Sequence, residues 1–374
     1  MTGRTVTLVA VSTDGAPLGR LPTFTVETPW WQDLEPVLAR RPDVVVLRLL
    51  DATVDGRVRY LVEADTPPAD LAPWDDADAD ALADHPLRMP WARPGGPAAD
   101  LSWAAAVVQP TGPPQQIRSW NLSSIWRLPT ADGPVWLKHV PPFFAHEPEV
   151  LHLLAPHPGA PELLASDGGR MLLADLPGRD GYDASPAERR AGVDVLVELQ
   201  QHLPAGRLAG GAVPDWRVGP FRDMAEDVVR RRGGERAGLR ALLDGWDDRF
   251  AAVDECGLTD TLFHGDPHAG NTRIGVEPPV LFDWGDSGLG HPLLDLVVAD
   301  DDPALVDHWL GRWAAAVPGS DPHRAWALLR PFAVLRGAVV FQRFLDAIEP
   351  SERAYHEHDV EPFLERAAGL ASQP

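Results

Sequence analysis

His264-Gly265-Asp266-Pro267-His268-Ala269-Gly270-Asn271 packs two imidazoles, a carboxylate and a carboxamide into one short stretch. An apolar approach, Leu262-Phe263, delivers this knot, and a second apolar run, Val280-Leu281-Phe282, delivers Asp283, with Asp286 following past Gly285. A carboxylate within reach of a substrate hydroxyl can accept its proton as the oxygen attacks phosphorus. An Asn oxygen and a second carboxylate can hold Mg²⁺, a hard cation that takes oxygen ligands and keeps several waters. Each residue type is common alone. The ordered set His-x-Asp-x-x-x-x-Asn, then an apolar strand ending in Asp, is far more specific. Gly270 and Gly275 let the chain turn sharply around it.

The elements that would position this knot begin near Gln115. Ile117–Trp120, Ile125–Leu128 and Val135–Val140 read as three short strands, with Asn121-Leu122-Ser123-Ser124 and Thr130-Ala131-Asp132-Gly133 as turns. The third strand carries one lysine, Lys138, inside an apolar run. Glu147 then opens a helix running to Leu154, with acidic residues in its first turn as the helix dipole prefers. A strand lysine followed by a glutamate at a helix head suggests an ion pair that aims the ammonium at phosphates; a lysine snorkelling to the surface is the competing reading. Met171–Gly178 is an apolar strand broken by Pro177-Gly178, a candidate hinge. Ser185-Pro186-Ala187-Glu188 carries a capping box. Helices are predicted over about 186–203, Phe221–Arg232, Leu239–Val253, Ala304–Ala316, His323–Ile348 and Glu361–Leu370.

Upstream, residues 1–65 read as a small α+β unit: strands over Thr5–Val11, Val44–Leu50 and Arg57–Val62, and a helix over Trp30–Arg41. The acidic run Asp75–Asp84 reads as a solvated linker, and the Pro- and Trp-rich stretch His85–Gly96 as a boundary. The expected organisation is therefore an accessory module over 1–100, a strand-rich lobe with hinge over 101–180 and a helical lobe over 181–374.

Composition narrows the function. The chain has 374 residues, 44% of them hydrophobic and 24% charged, which is ordinary globular composition. A formal net charge of −22 argues against nucleic acid as a partner, because phosphate backbones are bound by basic surfaces; it is compatible with a cationic substrate. The lone Cys256 cannot form an internal disulfide, and no run approaches the ~18 apolar residues of a membrane span. The expectation is a soluble cytoplasmic protein without a membrane partner.

His264-Gly-Asp266-Pro-His268-Ala-Gly-Asn271 with Leu281-Phe-Asp283-Trp284 resembles the catalytic loop and metal-binding aspartate of the aminoglycoside phosphotransferase family, within the protein-kinase-like superfamily. Gly290-His-Pro-Leu-Leu-Asp295-Leu resembles that family's downstream Gly-x-Pro-x-x-Asp-Leu segment, and the likeness covers about residues 115–370. It implies an α+β, bilobal protein-kinase-like fold, with a small β-rich N-lobe, a mostly helical C-lobe and an extra N-terminal α+β module. It also implies an ATP- and Mg²⁺-dependent kinase acting on a small-molecule hydroxyl. Carried over by position, Asp266 is the catalytic base, Asn271 and Asp283 hold Mg²⁺, Lys138 contacts the α- and β-phosphates and Glu147 orients it. Nucleotide would bind near Leu172–Leu176, Leu173 included. The turn at Trp120–Ile125 has no glycine, so phosphate contact there would come from backbone N–H groups with Ser123 and Ser124. In this light His264 is loop scaffolding, His268 a solvent-edge residue and Asp295 a cap or buttress for its own helix. Asp286 remains either a second metal contact or a substrate contact.

Two other classes fit less well. Gly265-Asp266-Pro267-His268 resembles the first motif of metallophosphoesterases, but such a site needs further Asn-His and Gly-His-x-His segments, and the chain offers only Asn271-Thr272 and Gly290-His291-Pro292-Leu293. A nucleotide-binding regulator without turnover would have lost Asp266, Asn271, Asp283 or Lys138, and all are present.

Overall fold

The computed structural model describes residues 3–53, 55–74, 78, 81–155, 157–208, 211 and 213–372. Much of the Asp75–Asp84 run lies outside the described residues. The chain forms two compact units, one from residues 1–145, 163–175 and 345–357, the other from 146–162, 176–344 and 358–374.

The first unit is built on two five-stranded sheets. In the upstream sheet, β1 (Arg4–Ser12) pairs antiparallel with β2 (Pro17–Arg20) and β3 (Phe24–Val26), and parallel with β5 (Arg57–Ala64), which pairs with β4 (Val45–Ala52). Val6, Leu8, Ala10, Val46, Val58, Tyr60 and Val62 bury one face of it. Between β3 and β4 the only α-helix is α1 (Glu35–Leu38), much shorter than the Trp30–Arg41 periodicity suggests. Pro36 is tolerated only in a first turn and Pro42 disfavours helical backbone at Arg41, so the two prolines clip the helix from both ends.

After α2 (Gly96–Val107) comes an antiparallel sheet of β6 (Gln115–Trp120), β7 (Ser123–Thr130), β8 (Gly133–His139), β10 (Arg170–Ala174) and β9 (Leu163–Asp167), in that order. Trp126, Leu128, Leu137 and Leu172 form its core with Ala104 of α2. The Gln116 side chain joins the two sheets: its Oε1 accepts from Val46 N at 2.9 Å and its Nε2 donates to Val46 O at 2.7 Å, imitating a strand neighbour. Residues 345–357 complete this unit. There Glu349 accepts from Arg88 Nη2 at 2.9 Å, and the Tyr355 ring lies 5.7 Å from that of Trp31.

The second unit is mainly helical. It contains α3 (Glu147–Leu154), β11 (Arg179–Asp180), α4 (Pro186–His202), α5 (Val218–Arg232), α6 (Ala237–Asp244), α7 (Trp246–Asp254), β12 (Thr261–Phe263), β13 (Thr272–Ile274), β14 (Val280–Leu281), β15 (Gly288–Gly290), α8 (Pro303–Ala316), α9 (Pro322–Ala347) and α10 (Val360–Ala371). The capping box at Ser185 is formed as expected: its hydroxyl accepts from Glu188 N and the Glu188 carboxylate accepts from Ser185 N. The stripe from Leu239 to Val253, expected as one helix, is split at Gly245 into α6 and α7. Glycine has little stake in helical backbone, so the chain bends there while Leu239, Leu242, Trp246, Phe250 and Val253 all stay buried. No helix among the described residues is long and apolar enough to cross a membrane.

Candidate active site

The chemistry-bearing loop leaves β12, which pairs with β15 through Phe263 and Gly288. His264 is fully buried, with its ring 4.4 Å from Trp284. Its Nδ1 accepts from Asp266 N at 3.3 Å, which leaves Nε2 to carry the proton toward Phe282 O at 3.1 Å. The histidine thereby ties the Asp266 segment to the strand that delivers Asp283. Gly265 sits at φ 93°, and a Cβ there would meet Asp286 O at 2.1 Å, so only glycine fits.

Two further side chains hold the same loop. Asp295, buried, accepts from His264 N and Gly265 N at 2.7 Å each and from Gln200 Nε2 at 2.9 Å. It therefore buttresses the loop rather than its own helix, whose N-terminal side-chain cap is His291. Arg336 of α9, also buried, donates from Nη1 to Gly265 O and from Nη2 to Asp286 O, both at 2.9 Å. Its guanidinium lies 4.6 Å from the Trp216 ring centre and 4.7 Å from that of Phe263. The sequence offered one signal for this residue, a lone arginine inside the apolar run Ala333-Val-Leu-Arg336-Gly-Ala-Val-Val.

Asp266, Asn271 and Asp283 come together around this frame. Asn271 Nδ2 donates to Asp266 O at 2.9 Å and lies 3.5 Å from Asp266 Oδ2, while Phe282 N donates to Asn271 O at 3.0 Å. With its amide N–H committed to the loop, the Asn271 side-chain oxygen remains available as a hard-cation ligand. Asp283 is the only non-glycine among the described residues with positive φ, at 65°. A carboxylate residue held in the left-handed region marks a position whose geometry the surroundings over-determine. Trp284 N, directly after it, donates to Glu147 Oε1 at 3.1 Å, so the buried head of α3 grips the Asp283 turn.

The electrostatics follow from crowding of like charges. The Asp266 side chain keeps 45% of its surface open, yet protein surrounds it from most directions; burial and then the Asp283 charge push its pKa up to about 6. Burial followed by the Asp266 charge pushes Asp286 up to about 7, and burial lifts Asp295 to about 6 against its two backbone hydrogen bonds. Burial works against the Arg336 charge, and Asp286, Asp295 and Asp266 offset it. The Asn271 side-chain oxygen and the Asp283 carboxylate are donors of the kind a hard divalent cation takes. No group of three or more His, Cys, Asp or Glu among the described residues could hold a metal alone. Mg²⁺ normally takes one or two carboxylates plus phosphate and water, so two protein ligands suffice.

Lys138, Leu173, Ser123 and Ser124 lie in the first unit, and His268 in the second. Lys138 is buried in β8, paired with Ile125 and Met171, and Leu173 of β10 pairs with Trp136. Ser123 and Ser124 belong to β7, not to a loop: the turn is only Asn121-Leu122. Ser123 Oγ accepts from Trp120 Nε1 at 3.0 Å and Ser124 Oγ from Trp126 Nε1 at 3.1 Å. His268, half-exposed, places Nε2 3.5 Å from Asp266 Oδ2 and accepts from Gly270 N at 2.9 Å through Nδ1. Tyr182, across from it at 6.2 Å between ring centres, carried no sequence signal.

Comparison with known proteins gives this geometry a lineage. The model of the phosphotransferase enzyme family matches residues 115–332. No curated protein matches the chain. Among solved structures, a choline/ethanolamine kinase family protein from Mesorhizobium loti is similar at TM-score 0.55 and 19% identity, covering 74% of this chain and 95% of that one. The amicoumacin kinase hAmiN in complex with AMP-PNP, Ca²⁺ and Ami is similar at 0.51 and 14%, covering 72% and 92%. The streptomycin-ATP-APH(2″)-IIa ternary complex is similar at 0.52 and 11%, covering 73% and 98%. These likenesses establish a shared kinase-like fold, preceded here by extra sheet structure upstream of residue 115. The family match spans more than half of the 374 residues, and the chain belongs to the phosphotransferase enzyme family.

Proposed function

We propose that this phosphotransferase moves the γ-phosphate of ATP to a hydroxyl of a small amine-bearing molecule, an aminoglycoside, amino sugar or amino alcohol, with Asp266 as the base. The observation that carries the reading is the placement of Asp266: a carboxylate with pKa raised to about 6, half-open to solvent, on a loop locked by His264, Asp295 and Arg336. Such a group is ionised at neutral pH yet basic enough to take a hydroxyl proton as the oxygen attacks. Asn271 and Asp283 would hold Mg²⁺, which supplies neutralisation of charge on the phosphate oxygens. Lys138 is assigned to the α- and β-phosphates, Glu147 to its orientation and Leu173 to the nucleotide. Contact near the 121–122 turn is assigned to backbone N–H groups with Ser123 and Ser124, whose hydroxyl oxygens accept from indoles and whose O–H groups remain donors.

The net charge of −22 favours a cationic acceptor over nucleic acid and suits a cytoplasmic protein with no membrane partner. The similar structures named for choline/ethanolamine kinase and streptomycin act in the same direction. Residues 1–100 act as an accessory module to the catalytic lobes. The test is ATP consumption by purified protein with Mg²⁺ across a panel of aminoglycosides, amino sugars and amino alcohols. Asp266→Ala should lower turnover of the responding substrate by roughly 10²–10⁴ while thermal stability holds. Full turnover by that variant would refute the assignment.

A further inference from the structure

A cavity of about 140 Å³ lies within the second unit, walled on one side by Pro267, His268 and Ala269 of the catalytic loop. Asp266, Asn271 and Asp283 do not line it, so it adjoins the loop without opening onto its chemical groups. The rest of its wall is mostly apolar: Val193 and Leu196 from α4, Leu281, Leu305 and Trp309. A cavity of ~150 Å³ is the size that admits one benzene ring.

The rim carries charge of a definite kind. Glu188 pairs with Arg179 at 2.9 Å, and Arg189 pairs with Asp302 at 2.9 Å, so these charges are matched. Asp302 is further committed as the N-cap of α8, accepting from Leu305 N at 3.1 Å. Asp301, exposed at the same rim, has no ion-pair partner among the described residues. The cavity thus offers apolar walls, an indole and one unmatched carboxylate, the combination that suits an ammonium group on a hydrocarbon body.

We propose that this cavity binds a small arylalkylamine-like ligand, its ring against Val193, Leu196 and Trp309 and its ammonium beside Asp301. Because it shares a wall with the loop, an occupant bears on Pro267–Ala269, including His268, whose Nε2 lies 3.5 Å from Asp266 Oδ2.

Benzylamine is a suitable probe because it has the ring and the ammonium but no hydroxyl, so it cannot itself be a phosphate acceptor. Its binding to the full chain is read by calorimetry, independently of any turnover, with benzyl alcohol as the uncharged control. The expected result is saturable 1:1 binding of benzylamine, weaker binding of benzyl alcohol, and a fall in benzylamine affinity with added salt. Asp301→Asn, at an exposed position, should weaken benzylamine about fivefold and leave benzyl alcohol unchanged. Gly192→Met should abolish both: Gly192 lines the cavity, a Cβ there meets only Thr272 Cγ2 at 3.5 Å, and the exchange favours the α4 helix. Absence of saturable benzylamine binding at millimolar concentration would overturn the site. Equal affinity for the amine and the alcohol would overturn its chemistry, and undiminished binding to Gly192→Met would overturn its location. None of these outcomes bears on whether the chain is a kinase.

Discussion

Replacing Arg336 by Met removes a charge and a two-pronged donor while leaving an unbranched stem against Trp216 and Phe263. Two charge-assisted hydrogen bonds are lost, to Gly265 O and Asp286 O, each worth about 1.5–3 kcal/mol. The carboxylates of Asp266, Asp286 and Asp295 also lose the cation that lowers their pKa values. Removing one partner from such a buried set costs about 3–5 kcal/mol, a large share of a typical domain's stability. The cost should depend on pH. Each of these aspartates has a folded-state pKa above its unfolded value, so the folded state binds more protons between pH 4 and about 6 to 7. Stability from these groups therefore falls as pH rises through that window, and it falls more steeply without Arg336. Urea denaturation at pH 5 and pH 8 should show Arg336→Met losing more at pH 8 than at pH 5. Arg336→Lys keeps a charge but loses the fork, so it should return the pH dependence of stability most of the way to that of the parent protein without restoring turnover. A loss below about 1 kcal/mol, or one equal at both pH values, would refute this account of Arg336 as the charge and hydrogen-bond anchor of the loop.

Three other outcomes follow from the same geometry. The acid limb of kcat/KM should fall between the ordinary Asp value, roughly 4, and 6. With Mg²⁺ at Asp283 as proposed, raising Mg²⁺ should move it down, because the cation offsets the charge that helps lift Asp266; a limb insensitive to Mg²⁺ would separate the two groups. Asp295→Ala leaves the His264 and Gly265 N–H groups buried without acceptors, costing about 1–3 kcal/mol each by denaturation and lowering kcat as the loop loosens. Gly288→Ala places a Cβ 2.4 Å from Trp216 Cδ1 and 2.9 Å from Pro214 O, so about 2 kcal/mol or more of stability should be lost, read as a lower urea midpoint.

What could be read from the chain and what could not divide along a physical line. Proton abstraction and hard-cation binding each dictate residue type, so the proposed roles of Asp266, Asn271 and Asp283 show in identity and spacing, and β12 and β14 follow from the two apolar runs that deliver them; β13 carried no such run. The helix start at Ser185 was equally legible, since capping is decided within one turn of chain. The supports were not. Arg336 joins Gly265 and Asp286 across 71 and 50 residues, and Asp295 joins the loop across 30 and 31. Such anchors need only a donor or acceptor at the right place in space, so a local pattern can flag the residue, as the apolar run flags Arg336 and the Gly290–Leu296 segment flags Asp295, but not what it holds. The same reasoning explains the misplaced serines: a Ser-Ser pair after Asn121-Leu122 is turn-like by composition, but pairing of Trp120 with Ser123 extends β7 through it. Groups that react are constrained by chemistry and show in one dimension; groups that position them are constrained by geometry and show only in three. Arg336 is the sharpest instance, because the cost of burying it makes sense only once the three carboxylates around it are seen.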